Sequence, residues 1–319
     1  MAERTVAVLA GGLSHEREVS LRSGRRLAAE LREFGAVVSE WDVDSTLLSR
    51  LHAERPEAVV VALHGGEGEN GSVQAVLEML GVPYVGTDSR ACRVAWDKPI
   101  AKAELARAGL ATPDWVVLPH ATFRDLGARA VLDAIVAKLG LPLMVKPDQG
   151  GSALGAQLVR NAEELPAAMV DCLAYGNAVL AERYVSGTEV AVTVVADPEP
   201  RALPVVEIRA KGGVYDYAAR YTPGAAGFPC PAELPVDVLR AAERAALDAH
   251  RLLGLRDLSR TDAIVTDDGT VHVLEVNVSP GLTETSLLPT AVEAAGERLG
   301  GLFSSLIDGA VRRGGPGHR

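Results

Sequence analysis

Three oxygen-bearing side chains in the C-terminal third of the chain, with an arginine beside them, have the types and spacing of a divalent metal site. Arg260 and Asp262 lie in one apolar segment, and Glu275 and Asn277 lie in the next. The Asp268-Gly269 pair between the segments is typical of a two-residue hairpin turn. Such a turn places Asp262 opposite Glu275 and Arg260 opposite Asn277.

Because side chains alternate along a strand, these four are expected to share one face of the hairpin. The other face would carry the apolar residues Ala263, Val265, Leu274 and Val276. Directly opposed carboxylates repel each other. A magnesium ion between Asp262 and Glu275 would remove that repulsion, with Asn277 as a further oxygen ligand. The alternative is a surface hairpin with scattered charges.

The segment Ser279–Leu287, which follows the hairpin, has features of an anion-binding site. Pro280 and Gly281 bend the chain and leave backbone N–H groups free, and Ser286 lies close to the start of an expected helix. Free N–H groups and a helix N-terminus suit a carboxylate or a developing oxyanion. A plain Pro-Gly turn is the alternative.

Lysine is rare in this chain, with five Lys among 32 basic residues. Lys146 lies within an apolar strand and Lys98 opens a helix, so both are candidates to bind phosphate oxygens. The Gly150–Gly155 loop after Lys146 can bring backbone N–H groups close to a phosphate, although a flexible hairpin tip is the alternative. A GxxxxGK motif is absent, and no GxGxxG follows the first strand, so neither a Walker loop nor a dinucleotide-binding Rossmann site is supported.

The first ninety residues alternate strand and helix patterns, which predicts a parallel sheet covered by helices. The predicted strands are Thr5–Ala10, Val37–Val43 and Ala58–Leu63, and the predicted helices are Val19–Phe34, Ser45–Ala53 and one after Gly71. Ligands gather at the carboxyl ends of the strands in such sheets. The loops at those ends contain the candidates Glu16 and His64.

Two further modules and a tail are expected after this sheet. The predicted division is 1–92, 93–181, 182–312 and a disordered tail at 313–319. The second module has predicted helices Lys98–Ala108 and Asp133–Leu139 and strands Pro113–Leu118, Leu143–Pro147 and Ala156–Val159. The third has strands Val190–Val195 and Val205–Ile208, an irregular loop Lys211–Cys230, a helix Val236–Leu253 and the hairpin.

Composition narrows the class of protein. The formal net charge of −10 argues against a nucleic-acid partner. Three cysteines far apart, Cys92, Cys172 and Cys230, favour neither disulfides nor a zinc site. Neither a signal peptide nor an apolar run near the roughly 20 residues of a membrane span is present, so we expect a cytoplasmic protein without a membrane partner.

Taken in order, these segments resemble the ATP-grasp superfamily and, within it, the D-alanine–D-alanine ligases, over nearly the whole chain. The matching segments are Gly11–Ser20, His64–Gly71, Asp97-Lys98, Val145–Pro147, Gly151-Ser152, Glu182, Glu189, Tyr215–Tyr221, Arg260 with Asp262, Glu275–Gly281 and Ser286-Leu287. The resemblance implies an α/β and α+β architecture, in which an N-terminal parallel α/β (Rossmann-like) domain precedes the ATP-grasp fold. It also implies a homodimer that joins two D-alanines through an acyl phosphate, for peptidoglycan precursors.

The resemblance also implies a role for each matched residue. ATP is bound by Lys98, Lys146, Glu182, Arg183, Tyr184, Val185, Glu189 and Arg220. Two Mg2+ ions, which Mn2+ can replace, are bound by Asp262, Glu275 and Asn277. The substrates are bound by His64, Ser286 and Leu287, with Glu16 at the ammonium of the first D-alanine. Arg260 and the Gly281 N–H hold the oxyanion, while Ser152 and Tyr221 join the covering loops to Glu16.

Four positions depart from the family pattern. Arg220 stands where Lys is usual, Ala153 replaces a Ser, Gly150 replaces a polar residue and Trp96 stands where Met is usual. These departures lie in or beside the covering loops and favour one alternative, a ligase of a specialised biosynthetic pathway that acts on other amino acids. A nucleotide-binding protein without turnover is a second alternative, against which the complete set of metal and oxyanion residues argues.

Overall fold

The structure of the protein, a computed structural model, describes residues 4–213, 215, 219, 220, 222 and 224–314. Within these residues, three sheets follow one another along the chain. Their strands are connected by helices in the first sheet and by helices and hairpins in the other two. The α/β and α+β architecture predicted from the sequence is confirmed.

The first sheet is parallel, with the strand order β2-β1-β3-β4. Its strands are β1 (Thr5–Ala10), β2 (Val37–Asp42), β3 (Ala58–Val61) and β4 (Tyr84–Val85). The helices of this part are α1 (Arg17–Glu33), α2 (Leu47–Glu54), α3 (Ser72–Met79) and α4 (Ser89–Trp96), with a 3-10 turn at Gly66–Gly68. Strand β1 is apolar and buried after its exposed first residue, Thr5, because helices cover both faces of the sheet. The predicted parallel sheet is therefore confirmed.

The second sheet is antiparallel, with the strand order β5-β8-β6-β7. Its strands are β5 (Trp115–Pro119), β6 (Leu143–Pro147), β7 (Gln157–Val159) and β8 (Ala178–Arg183), with helices α5 (Lys98–Arg107), α6 (His120–Leu126), α7 (Ala128–Leu139) and α8 (Leu165–Leu173). The prediction of β6 coincides with the structure. Helices α6 and α8 were not predicted, and α7 begins before the predicted Asp133.

The third sheet has the strand order β12-β11-β9-β13-β14, and β10 pairs with β9. Its strands are β9 (Thr188–Ala196), β10 (Pro200–Ala202), β11 (Val206–Ala210), β12 (Ala226–Gly227), β13 (Leu258–Val265) and β14 (Val271–Asn277). Helix α9 (Val236–Leu252) precedes the hairpin, and helices α10 (Leu287–Ala294) and α11 (Leu299–Arg313) follow it. Arg313 belongs to α11, so the predicted tail begins too early, and residues 315–319 lie outside the described residues.

The β13–β14 hairpin corrects two details of the prediction. Thr266 N donates to Thr270 O and Gly269 N donates to Thr266 O, so the turn has three central residues rather than the predicted two. The register then shifts by one residue between Asp262 and Ala263, which makes Leu274 a bulge. Leu274 consequently lines the same cavity as Asp262 and does not join the apolar face on which it was predicted.

The chain's two ends share one hydrophobic core. Val6 and Val8 of β1 and Leu27 of α1 belong to the same buried cluster as Leu288 of α10 and Phe303 of α11. The first sheet is therefore packed directly against the last helices. Within the described residues, no helix is long and apolar enough to cross a membrane.

Candidate active site

Two neighbouring cavities contain the predicted site residues. The larger has a volume of about 470 Å³ and lies between the second and third sheets. Its lining includes every residue expected to bind ATP: Lys98, Lys146, Glu182, Arg183, Tyr184, Val185, Glu189 and Arg220. Met144, Ile208 and Leu274 add apolar walls, so this cavity combines cations with an apolar slot. Such a combination suits a ligand with a flat ring at one end and phosphates at the other.

Residues 182–185 reach this cavity because β8 ends there. Glu182 is held in register between Trp115 of β5 and Met144 of β6. Glu189 lies on the facing strand β9, opposite Ile208 and Ile264. Burial raises the pKa of Glu189 to about 7, an effect that the nearby Arg220 charge only partly offsets.

The hairpin places its four polar side chains as predicted, with Asp262 opposite Glu275 and Arg260 opposite Asn277. Arg260 forms a bidentate ion pair with Asp262, and Lys98 Nζ lies 3.6 Å from Glu275 Oε2. Burial by itself would raise the pKa of Glu275, but the surrounding lysine and arginine charges outweigh it and lower the pKa to about 2. Both carboxylates therefore have cations of the chain beside them, so relief of their repulsion does not by itself require a metal.

The donor set nevertheless fits magnesium. Asp262, Glu275 and Asn277 offer only oxygen ligands, which are the ligands this hard cation prefers, and water completes its coordination shell. Asn277 Oδ1 accepts a hydrogen bond from Ser279 N at 2.9 Å, which fixes the direction of the amide oxygen. Among the described residues no cluster of three His, Cys, Asp or Glu side chains suits a metal. The predicted ligands Asp262, Glu275 and Asn277 do not form such a cluster, because the third is an asparagine.

The smaller cavity, of about 100 Å³, contains the residues expected to bind and activate the substrates. Its lining includes Glu16, His64, Ser152, Arg260, Asn277, Gly281, Ser286 and Leu287. Arg220 and Tyr215 line both cavities and so mark where they meet. The small volume and the polar lining favour compact charged ligands.

Glu16 lies where the first sheet meets the glycine-rich loop. Its carboxylate accepts a hydrogen bond from Ser152 Oγ. A Cβ on Gly65 or on Gly151 would come within 2.4 and 2.7 Å of Glu16 Oε2, so a side chain at either position would displace the Glu16 carboxylate. Burial raises the pKa of Glu16, although the Ser152 hydrogen bond opposes the shift. A ligand ammonium beside Glu16 would favour the charged form of the carboxylate.

His64 joins the first sheet to the loop after the hairpin. Its Nδ1 lies 3.0 Å from Ser279 O, and a carbonyl only accepts, so Nδ1 carries the proton. Nε2 is then the acceptor for Ser23 Oγ at 2.8 Å, and Ser23 Oγ in turn accepts from Leu282 N at 3.1 Å. Burial lowers the pKa of His64 to about 4, which keeps this chain of hydrogen bonds intact at neutral pH. His64 therefore holds the loop that contains Gly281.

Gly281 packs against Ser286, the residue before helix α10. A Cβ on Gly281 would lie 2.7 Å from Ser286 Oγ. Ser286 Oγ is held by Thr283 N at 3.0 Å and Thr283 Oγ1 at 2.8 Å. Within the described residues, the Gly281 N–H has no protein acceptor, and Gly281 lines the small cavity. An N–H in this position can donate to a ligand oxyanion.

For three of the positions that depart from the family pattern, the structure shows the contacts or the backbone conformation of the changed residue. The Arg220 guanidinium carbon lies 4.5 Å from the centre of the Tyr215 ring, a planar contact that a Lys ammonium does not reproduce. Trp96 Nε1 donates to Gln149 Oε1 at 3.2 Å, which ties helix α4 to the start of the glycine-rich loop. Ser152 and Ala153 have φ angles of 52° and 55°, in the left-handed region that disfavours residues with a Cβ.

Tyr221 lies outside the described residues, so its predicted contact with the covering loops stays a prediction. Three residues that sequence reasoning missed also belong to the site. Ser23 completes the His64 chain, Glu69 lines the small cavity and accepts from Gly65 N at 2.9 Å, and Lys102 forms an ion pair with Glu182. Lys102 and Glu69 had a sequence signal: Lys102 is one of the five lysines and lies one helical turn after Lys98, and Glu69 lies in the matching segment His64–Gly71.

The chain is similar to known ligases over nearly its whole length. A family model described as D-ala D-ala ligase C-terminus matches residues 105–308. The D-alanine–D-alanine ligase of Anaeromyxobacter dehalogenans is 43% identical over 308 residues, which are 97% of each chain. The D-alanine–D-alanine ligase of Moorella thermoacetica is 40% identical, over 96% of this chain and 99% of that protein.

Solved structures agree. A D-alanine–D-alanine ligase from Bacillus anthracis complexed with ATP superposes with a TM-score of 0.82 at 29% identity, covering 97% of this chain and 98% of that one. The VanG D-Ala:D-Ser ligase from Enterococcus faecalis has a TM-score of 0.81 at 25% identity, covering 97% and 99%. The geometry of the two cavities, the matched family model and the full-length identities lead to one conclusion: the chain belongs to the D-alanine–D-alanine ligase family of ATP-grasp proteins.

Proposed function

We propose that this chain is an ATP- and magnesium-dependent enzyme that joins two D-alanines to D-alanyl-D-alanine for peptidoglycan precursors. One observation carries the proposal: the face of the hairpin with Arg260, Asp262, Glu275 and Asn277 lies where a cation-lined cavity meets a small polar one. A phosphoryl group can therefore pass between a nucleotide on one side and a carboxylate on the other. The family membership supports the same activity.

In the first step, a carboxylate oxygen of the first D-alanine attacks the γ-phosphorus of ATP, and the bond to the β-phosphate oxygen breaks to release ADP. The chain's residues orient this transfer. Lys98 and Lys146 face the phosphates from the larger cavity, while Glu16 accepts the substrate ammonium. Magnesium, when held by Asp262, Glu275 and Asn277, supplies positive charge to the phosphate oxygens.

In the second step, the amine of the second D-alanine attacks the carbonyl carbon of the acyl phosphate. The tetrahedral intermediate loses a proton, its carbon–oxygen bond to the phosphate breaks, and dipeptide and phosphate result. Arg260 and the Gly281 N–H face the negative oxygen of this intermediate, and Ser286 and Leu287 receive the carboxylate of the second substrate. The Glu16–Ser152 hydrogen bond keeps the glycine-rich loop over the site and water away from the acyl phosphate.

The small cavity, of about 100 Å³, supports small polar substrates. A cytoplasmic location agrees with the use of ATP. The homodimer and the replacement of Mg2+ by Mn2+ stay predictions, which analytical ultracentrifugation and metal titration of the activity will test.

The decisive experiment measures phosphate release from ATP and Mg2+ with single amino acids offered in turn, and identifies the product by mass. We expect release and a dipeptide with D-alanine but not with L-alanine. D-serine belongs in the panel because one solved relative is a D-Ala:D-Ser ligase. Phosphate release only with another amino acid would indicate a ligase of a specialised pathway instead. No phosphate release with any amino acid would indicate a nucleotide-binding protein without turnover.

A further inference from the structure

A buried triad of charges lies at the inner end of the larger cavity. Glu182 Oε1 is 2.6 Å from Lys102 Nζ, and Glu182 Oε2 is 2.6 Å from Lys146 Nζ. Each carboxylate oxygen thus has its own lysine. Burial by itself would raise the pKa of Glu182, but the charges of Lys146 and Lys102 outweigh burial and lower it, so the carboxylate is ionised.

The two lysines differ in what else they can reach. Lys146 lines the cavity, so its ammonium is accessible to a ligand. Lys102 is 1% exposed and does not line the cavity. Its ammonium also donates to Thr112 Oγ1 and lies 5.1 Å from the centre of the Trp115 ring. Protein atoms therefore surround Lys102, whereas Lys146 can change partner.

This difference matters when a nucleotide binds. A phosphate that attracts Lys146 draws it away from Glu182, and a buried carboxylate that loses its cation is strongly destabilised. Lys102 stays beside Glu182 in either case. The Glu182 carboxylate then keeps its charge while Lys146 binds the phosphate.

We propose that Lys102 is a positioning residue that keeps Glu182 ionised in the nucleotide-bound protein and thereby selects a purine with an amino group at position 6. The inference rests on the proposed function in one respect, that the larger cavity binds ATP. An ionised carboxylate only accepts hydrogen bonds. It therefore attracts the 6-amino group of adenine and repels the 6-oxo group of hypoxanthine.

The test compares the binding of MgATP and MgITP, whose phosphates are identical, by titration calorimetry without amino acids. Lys102→Met removes the ammonium but keeps a long side chain. In the free protein it leaves Glu182 with Lys146 as a one-to-one pair, so we expect the variant to fold. We expect its preference for ATP over ITP, the ratio of the two Kd values, to fall at least about tenfold. Lys138→Met, an exposed lysine on α7, is the matched control and should keep the wild-type ratio.

A second comparison separates positioning from general destabilisation. Glu182→Gln removes the charge that Lys102 compensates, so adding Lys102→Met to it should leave the ratio where Glu182→Gln alone puts it. Equal weakening of ATP and ITP by Lys102→Met, or a further fall in the double variant, would overturn the inference. If Lys102→Met fails to fold, Thr112→Val, which removes only a hydroxyl bonded to Lys102, should lower the ratio by a smaller factor, and an unchanged ratio there would count against the inference.

Failure here is distinguishable from failure of the proposed function. Nucleotide affinities are measured without turnover, so a protein that ligates nothing can still show the selectivity that depends on Lys102. Conversely, the wild-type protein could make dipeptide from ATP while Lys102→Met keeps the wild-type ratio of the two Kd values. That result would refute only this inference and leave the proposed function standing.

Discussion

Arg260 and Asp262 lie two residues apart on β13 and form a bidentate ion pair, with Nε–Oδ1 and Nη2–Oδ2 distances of 2.6 and 2.7 Å. The residue proposed to hold the oxyanion is thus the partner of a proposed metal ligand. A metal ion at Asp262 would take over part of that carboxylate's charge and would leave Arg260 freer to face the substrate. We therefore expect metal binding and transition-state stabilisation to be coupled through this pair.

Removal of either metal carboxylate should nearly abolish the activity. We expect Asp262→Asn and Glu275→Gln to lower phosphate release on the order of a thousandfold, because several kcal/mol of charge stabilisation at the transferring phosphate are lost. The matched control is Asp267→Asn, an exposed carboxylate in the turn of the same hairpin, which should keep the wild-type rate. Near-normal rates in both site variants would rule out the hairpin as the metal site.

Gly281→Ala should lower kcat more than it changes the KM for ATP. The new Cβ would come within 2.7 Å of Ser286 Oγ and displace the N–H proposed to face the oxyanion. Loss of one such donor typically lowers rates about 100- to 1,000-fold. Steady-state kinetics at saturating D-alanine measure the effect. An unchanged kcat in Gly281→Ala would contradict the proposed role of the Gly281 N–H.

Glu189→Gln should stabilise the free protein at high pH and weaken ATP binding. Burial raises the pKa of Glu189 from an ordinary 4.5 to about 7. Between these values the folded protein holds a proton that the unfolded chain has lost, so this group's contribution to stability falls as pH rises from 4.5 to 7 and stays lower above it. Glutamine does not titrate, so the variant does not lose this stability as pH rises.

Thermal unfolding at pH 5 and pH 8 measures this difference. The Tm of Glu189→Gln minus that of the wild type should be a few degrees larger at pH 8 than at pH 5. Glu199→Gln, on an exposed side chain, should show the same small difference at both pH values. A Tm difference that is smaller at pH 8 than at pH 5 would contradict the raised pKa of Glu189.

Trp96→Phe should uncouple ATP hydrolysis from ligation. The variant loses the indole hydrogen bond to Gln149, which helps fix the start of the glycine-rich loop, and a bond of this kind contributes roughly 0.5–1.5 kcal/mol. We expect the molar ratio of phosphate to dipeptide to rise above one, because water reaches the acyl phosphate when the loop opens. Gln149→Leu should give the same ratio, and combining the two changes should add nothing. A ratio of one in every variant would exclude this contact from loop closure.

The hairpin illustrates what the sequence predicts and why. Strand periodicity and the Asp-Gly pair gave the correct pairing of Asp262 with Glu275, although the turn is one residue longer than predicted. The bulge at Leu274 compensates the longer turn, so the register at the site is unchanged. Neither deviation has a reliable local signal, since a bulge is stabilised by packing on both sides of the strand.

Other elements escaped prediction for physical reasons. Helix α6 buries no residue and so lacks a clear apolar stripe. Helix α8 opens with Leu165-Pro166, which resembles a helix break although proline is favourable in the first turn. The His64–Ser279 contact spans 215 residues, and only the folded chain brings such partners together.

The shared core of the two chain ends also has a consequence for synthesis. Domains usually fold as they leave the ribosome, the N-terminal one first, at about 5–20 residues per second. Here β1 and α1 are completed by Phe303 and its neighbours on α11, nearly 300 residues later. The nascent first sheet must therefore wait roughly 15 to 60 s with an apolar face uncovered. During this interval we expect the N-terminal part of the chain to expose an apolar surface to which a chaperone can bind.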